Sequence, residues 1–597
     1  MSAGSATGQP RFALIALLCV TVLTAAANRP ANAAAPLATE SDRFMVVSSQ
    51  HLAAEAGAEI LRAGGNAIDA AVAVGYAEAV TNPCCGNIGG GGFLVAHLAD
   101  GRDIFLNFRE TAPAAARPDM YLDASGAVIR GASLRGWRAA GTPGTVLGLD
   151  TALTSYGSLP RSRVMAPAIR LARDGFILTR ADTDILALSA SVFRQHAQVA
   201  RIFLQPDGAA FEPGDRLVQS DLADTLADIA ANGPDAFYKG HSAAEVARAS
   251  GGALTEADFA SYRVTETKPV TCTYRTNVIL SAPPPSSGGA TMCEILEVLE
   301  GYDMHALGFH SAQAVHVMTE AMRHAFVDRN SFLGDPAFVQ NPLAWLLSPG
   351  HANSIRASIA DRATPSTQLS PGVAPHERMQ TTSYSVIDKA GNAVAVTYTL
   401  NGAFGAGVMA DGTGFLMNNE MDDFTIKPGT ANQFGLVQGE ANTIAPGKHP
   451  LSSMAPTIVL KDGRVSMVLG SPGGPRIITI VLETILNMVD YGMTPQEAVD
   501  APRVHHQWLP DILYAERDAL SPDTRAALEA MGYTITVQRN WGAAALVAIG
   551  PSGEAQGAAG SPPGSSLGDS AASGHMHSGM FYGAIDSRRP SGAAIGE

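Results

Sequence analysis

Apolar and polar positions follow two different periods along this chain, and the switches between them divide it into blocks. In "SQHLAAEAGAEILRAGG" the apolar residues recur at helical spacing and stop at Gly64-Gly65, which predicts a helix. Asn66 is placed to cap a second helix, "AIDAAVAVGYAEAV", which ends before Asn82-Pro83. "GNIGGGGFLVAHLADGRDIFLNFRETAP" then predicts a β-hairpin turning at "ADGRD". A long section of helix and loop follows, from "GTPGTVLGL" to "EAMRHAFVDR". Within it, "SAPPPSSGGATM" is expected to be extended. Strands return after residue 381. "TTSYSVIDKAGNAVAVTYTLN" alternates small polar and apolar residues as a half-buried strand does, turns at residues 389–392 and comes back. "PTIVLKDGRVSMVLGS", "YTITV" and "AALVAIGP" read as further strands, while "RIITIVLETILNMVDYG" and "DTRAALEAMG" read as helices. Strand blocks separated by packed helices predict a layered sandwich rather than a Rossmann unit.

Two segments stand outside this pattern. Arg11 precedes the apolar run "FALIALLCVTVLTAAA", and "ANA" at residues 31–33 is a small-x-small cleavage site, so residues 1–33 read as an export signal. The run is short for a membrane span. Cys19 follows Leu18 and does not fit lipid attachment. Near the other end, residues 552–579 are rich in Gly, Ser and Pro and are expected to be disordered.

Composition narrows the function. The chain has 597 residues, 46% hydrophobic and 16% charged, enough for a sizeable core. Its net charge of −15 and its lack of a basic stripe argue against a nucleic-acid partner. Cys84, Cys85, Cys272 and Cys293 are too few and too irregular for a disulfide framework or a zinc site. A bridge between the neighbours Cys84 and Cys85 is strained, and a Cys272–Cys293 bridge stays open. The glycines at 89–92 are followed by no Lys-Ser/Thr, so they read as close-packed backbone rather than a phosphate loop. His505-His506, His575 and His577 lack carboxylate or cysteine partners at ligand spacing and read as structural. No G-x-S-x-G elbow is present.

The junction at Thr381 carries chemistry. A polar loop, "TPSTQLSPGVAPHERMQ", runs directly into the first strand of the hairpin. Threonine becomes a useful nucleophile when a base stands beside it, and its own α-amine, with a pKa near 8, is such a base. Cleavage between Gln380 and Thr381 would create that amine.

The blocks "TTSYSVIDKAGNAVAVTYTLNGAFGAGV", "FLMNNEMDDF", "PLSSMAPTIV" and "GSPGGPRI", with "GNIGGGGFL", "NFRETAP", "AAGTPGTVLGL" and "APPPSSGG" before them, strongly resemble the γ-glutamyltransferases. These are self-processing N-terminal nucleophile hydrolases. The resemblance runs in order from about residue 34 to 550, and "YGAIDSRRP" looks like the family's C-terminal block. It implies an α+β fold, a four-layer αββα sandwich. It implies a large subunit of residues 34–380 and a small one of 381–597 that remain together as a heterodimer.

Position by position, Thr381 matches the nucleophile and Thr399 the threonine that steadies it. Arg109 matches the ligand of the substrate α-carboxylate, with Ser452 and Ser453 adding hydrogen bonds. Asn401, Glu420 and Asp423 match the groups that hold the α-ammonium. Strand-like alternation would turn Asp422 to the opposite side. Gly473 and Gly474 match the oxyanion hole. The implied reaction is γ-glutamyl transfer from glutathione to amino acids, peptides or water, without metal or organic cofactor, in a periplasmic or secreted enzyme. Ser383 stands where many members have His, and Phe434 where some carry a lid-loop Tyr; "PCCG" has no physical account. A cephalosporin or glutaryl acylase on the same fold stays open, as does a processing-dead binding protein.

Overall fold

Two seven-stranded antiparallel sheets stack face to face, with helices on both outer sides, in a computed structural model that describes Gly4 and residues 37–369, 381–551 and 576–597. Most of the export-signal segment, Gln380, His575 and most of the low-complexity stretch lie outside the described residues. The first sheet takes its strands in the order Ala593–Gly596, Phe44–Ser48, Thr382–Asp388, Ala393–Thr399, Gly91–His97, Asp103–Phe108 and Thr265–Thr267. The second runs Thr39–Ser41, Phe581–Ile585, Ala545–Ile549, Arg464–Gly470, Thr457–Lys461, Asn277–Ser281 and Val270–Tyr274. This is the four-layer αββα sandwich, and both sequence-predicted hairpins are central to the first sheet.

Strand faces alternate between two cores. Phe44, Val46, Leu94, Ala96, Val386 and Val394 join the core under helices His51–Arg62 and Ala67–Thr81. Met45, Val47, Phe93 and Val95 join the core shared with the second sheet and with helices Gly288–Leu299, Ala312–Phe332 and Arg476–Val489. Helix Ala67–Thr81 is buried along its whole length, as its nearly continuous apolar sequence requires. Asn66 caps it as expected: its side chain accepts from Asp69 N, and the Asp69 carboxylate accepts from Asn66 N at 2.8 Å.

Some expectations change. The strand Thr382–Asp388 is buried at every position, not half-buried. Its polar face meets the second sheet, where Ser385 Oγ donates to Ala545 O at 3.0 Å; Ser383 Oγ donates to Val396 O, also at 3.0 Å. Hydroxyls with such acceptors can be buried at little cost. "SAPPPSSGGATM" is extended only at its start. A turn follows, and helix Gly288–Leu299 begins inside it. Gly288 fits there because a Cβ would stand 2.4 Å from Met454 O. Cys84 and Cys85 are bridged despite the strain argument, in a turn where Cys85 N donates to Asn82 O and neither residue is exposed. The open question of Cys272 and Cys293 is answered by a bridge that ties strand Val270–Tyr274 to helix Gly288–Leu299.

His505 and His506 are buried and hydrogen-bonded. His505 meets Thr479 Oγ1 at 3.0 Å and Gln507 Oε1 at 2.9 Å, and burial pushes His506 down to about 4. Among the described residues no helix is long and apolar enough to cross a membrane.

Candidate active site

Sheet register sets the first contact. Thr382 pairs with Tyr398, so Thr381, just before its strand, reaches Thr399 at the end of the neighbouring one. The Thr381 hydroxyl donates to Thr399 Oγ1 at 3.4 Å, and Thr399 Oγ1 also accepts from Asn401 N at 2.8 Å. The glycine run explains how this corner closes. A Cβ at Gly90 would stand 2.0 Å from Thr399 O, and one at Gly89 2.0 Å from Leu416 O. The run is close-packed backbone, and it fixes both the Thr399 strand end and the "NNEMDD" loop. Behind strand Thr382–Asp388, Thr382 Oγ1 donates to Glu78 Oε2 at 3.1 Å, and Ser48 and Asn82 donate to the same carboxylate. Burial pushes the Glu78 carboxyl up, against these donors.

Thr381 and Thr399 share one pocket with Arg109, Asn401, Asp423, Ser452, Ser453 and Gly474. Glu420 and Gly473 are not part of this lining but adjoin it, Glu420 through Arg109 and Gly473 as the neighbour of Gly474. Residues 420–423 form a 3₁₀ turn rather than a strand. In that geometry positions three apart eclipse, which puts Glu420 and Asp423 on one side. Asp422 faces elsewhere, accepting from Ser133 Oγ at 2.6 Å and Gln433 N at 2.9 Å. Its turning away is therefore a helical-turn effect, not strand alternation.

Arg109 follows strand Asp103–Phe108 and is buried. Its Nη2 lies 2.5 Å from Asp423 Oδ2 and 2.8 Å from Glu420 Oε2. Burial acts to lower the guanidinium, but Glu420 and Asp423 outweigh it and hold it above its usual range. Burial raises both carboxyls in turn, with Arg109 opposing. Glu110 is pushed up to about 8 by the same burial. Asn401, at φ +74°, donates its Nδ2 to Asn419 O at 3.0 Å.

Gly473-Gly474 precede helix Arg476–Val489, so the positive end of a helix dipole borders the pocket that holds the hydroxyl pair. Phe434 covers this turn: a Cβ on Gly474 would lie 3.0 Å from its ring. Ser383, away from the pocket, fits against Gly470, where a Cβ would stand 2.2 Å from its Oγ. The arrangement gathers a hydroxyl pair, a glycine turn at a helix start, and carboxylates beside guanidinium groups around one pocket, which suits a zwitterionic ligand.

Sequence reasoning missed Arg329, which also lines the pocket from helix Ala312–Phe332. Helical spacing gives no signal for it, because a buried arginine and a surface one read alike.

The gamma-glutamyltranspeptidase profile matches residues 53–566. The chain belongs to the gamma-glutamyltranspeptidase family. It is 52% identical to the glutathione hydrolase proenzyme of Pseudomonas sp. (strain A14), over 97% of this chain and 98% of that protein. It is 47% identical to the glutathione hydrolase proenzyme of Escherichia coli (strain K12), over 92% and 96%. Among solved structures, the cephalosporin acylase of Bacillus halodurans superposes with a TM-score of 0.79 at 25% identity, covering 96% of this chain and 99% of that one. The gamma-glutamyltranspeptidase sandwich is thus shared with acylases, and the fold alone does not choose the substrate.

Proposed function

We propose that this chain is a proenzyme that cuts itself between Gln380 and Thr381, leaving residues 34–380 and 381–597 associated, and then cleaves glutathione and related γ-glutamyl compounds. The observation that carries this reading is the shared pocket: the Thr381–Thr399 hydroxyl pair opens onto the same cavity as the Arg109–Asp423 pair. The freed Thr381 amine takes the hydroxyl proton, and the oxygen attacks the γ-carbonyl. Thr399 holds that oxygen by its own hydroxyl. The tetrahedral oxyanion is stabilised by the backbone N–H groups of Gly473 and Gly474. As the C–N bond breaks, the ammonium returns its proton to the leaving amine, and a γ-glutamyl ester remains on Thr381. Water or an amino acid then takes the acyl group. The export-signal pattern and two disulfides support a periplasmic or secreted site of action.

Purified two-chain enzyme given glutathione should release glutamate, and adding glycylglycine should divert part of the acyl group into a γ-glutamyl tripeptide. Mass spectrometry of the products decides it. Release of neither product, with both chains present, rules out the reading.

The Gly473-Gly474 assignment has its own test. Gly474 sits at φ +56° under Phe434, so Gly474→Ala adds left-handed strain and a clash. Each donor lost from an oxyanion hole costs on the order of 10²-fold in kcat, and a comparable fall is expected here with KM less affected. Gly474→Ala combined with Phe434→Leu should recover part of the rate. Full activity in the single variant would remove Gly474 from the site.

A further inference from the structure

Two guanidinium groups border this pocket, and their surroundings differ. The Arg109 charge is already met. Asp423 and Glu420 share its Nη2, and Glu110 Oε2 lies 3.8 Å from its Nη1. Arg329 is as deeply buried, with 1% of its surface exposed, yet its partners are neutral oxygens. Its Nε donates to Ser287 Oγ at 3.1 Å. Its Nη1 donates to Asn330 Oδ1 and Gln438 Oε1, both at 2.8 Å. Its Nη2 donates to Ser453 Oγ at 3.2 Å. Among the described residues it forms no ion pair. Burial without a counterion pushes this guanidinium down to about 10, opposed mainly by the field of Asp423. A buried charge of this kind is costly unless an opposite charge joins it.

The ion pairs divide the pocket's charges. Asp423, which lines it, and Glu420 pair directly with Arg109, while, among the described residues, the direct partners of Arg329 include the Ser453 hydroxyl and no carboxylate. The substrate α-carboxylate carries the charge that Arg329 lacks. We propose that Arg329 is a specificity-determining residue that supplies the uncompensated positive charge for the substrate α-carboxylate and aims the Ser453 hydroxyl at it. This rests on the γ-glutamyl reading above. Arg109 then keeps Glu420 and Asp423 in position as much as it binds the carboxylate.

The test uses two substrates and the processed enzyme. One is γ-glutamyl-p-nitroanilide; the other is the same anilide with its α-carboxylate replaced by a carboxamide. Wild type should prefer the first. Arg329→Gln should lower kcat/KM for the carboxylate substrate by on the order of 10²-fold, mostly through KM, because the charged partner is lost from a desolvated site. The carboxamide should lose far less, so the preference collapses. Arg329→Lys should restore part of it.

Gln438→Glu provides an independent arm that leaves Arg329 in place. It sets a carboxylate against Nη1, and KM should rise about tenfold for the carboxylate substrate alone, as expected for a charge competing at a partly screened site. If Arg329→Gln depresses both substrates equally, Arg329 is a strut for Ser453 and the proposal fails. If Arg329→Gln does not process, an unchanged KM in Gln438→Glu overturns it. Wild type that cleaves neither anilide sinks the γ-glutamyl reading and this proposal together. Wild type that cleaves both alike, without regard to the carboxylate, sinks this proposal alone.

Discussion

Thr381→Ala should run as one chain on a denaturing gel, where wild type runs as two. In the proposed processing, the hydroxyl of Thr381 attacks the carbonyl of Gln380, the peptide shifts to an ester, and water frees the Thr381 amine. Alanine has no oxygen to start this sequence. The fold should survive, because only a hydroxyl and a methyl group at the start of a buried strand are lost. Thr399 Oγ1, 3.4 Å away, still accepts from Asn401 N. Turnover of γ-glutamyl-p-nitroanilide should fall by on the order of 10⁴-fold or more, the scale seen when a nucleophile is removed. Thr381→Ser should keep both processing and turnover at a reduced rate. Intact mass in protease-free buffer decides the matter. An alanine variant that still splits at residue 381 means that another group makes the cut.

Asp423→Asn should separate γ-glutamyl substrates from glutaryl ones. The two acyl groups differ by an α-ammonium and an α-carboxylate. Asp423 faces the pocket and pairs with Arg109, so the asparagine variant loses the ammonium's partner and loosens Arg109 together. An unpaired buried charge costs about 3–5 kcal/mol, which corresponds to a fall in kcat/KM of on the order of 10²-fold or more for γ-glutamyl-p-nitroanilide. Glutaryl-p-nitroanilide carries no ammonium and should lose far less. The comparison needs fully processed protein, because slow maturation imitates weak catalysis. Equal losses would make Asp423 a support for Arg109 rather than a reader of the ammonium. A wild type that prefers the glutaryl compound would favour the acylase reading instead.

Local signals in the sequence were sound where the structure depends on neighbours in the chain. The Asn66 cap, both hairpins and the tight glycine run follow from turn chemistry and period. What was hidden depends on distant partners. Arg109 and Asp423 are 314 positions apart, and the partners that bury Arg329 come from three other segments. No spacing rule reaches that far, and the resemblance gave the first pair only by analogy. Strands Phe44–Ser48 and Ala593–Gly596 give no comparable signal, because runs of five and four residues carry too little period. The serine face of Thr382–Asp388 misled for a related reason: polar residues mimic a solvent face when the covering sheet cannot be seen.

The place of strand Phe44–Ser48 has a consequence for timing. It lies between Thr382–Asp388 and Ala593–Gly596. The sheet that presents Thr381 therefore cannot close around its early strand until residue 596 has left the ribosome. On the self-cleavage proposed above, an emerging chain would hold the Gln380–Thr381 bond with half of its scaffold unwritten, and maturation would wait for translation to pass that point. Such pairings across hundreds of residues also form slowly. The proposed self-cutting would then be a clock that starts late, and a cut made early by another protease would sever the chain before its strands had met.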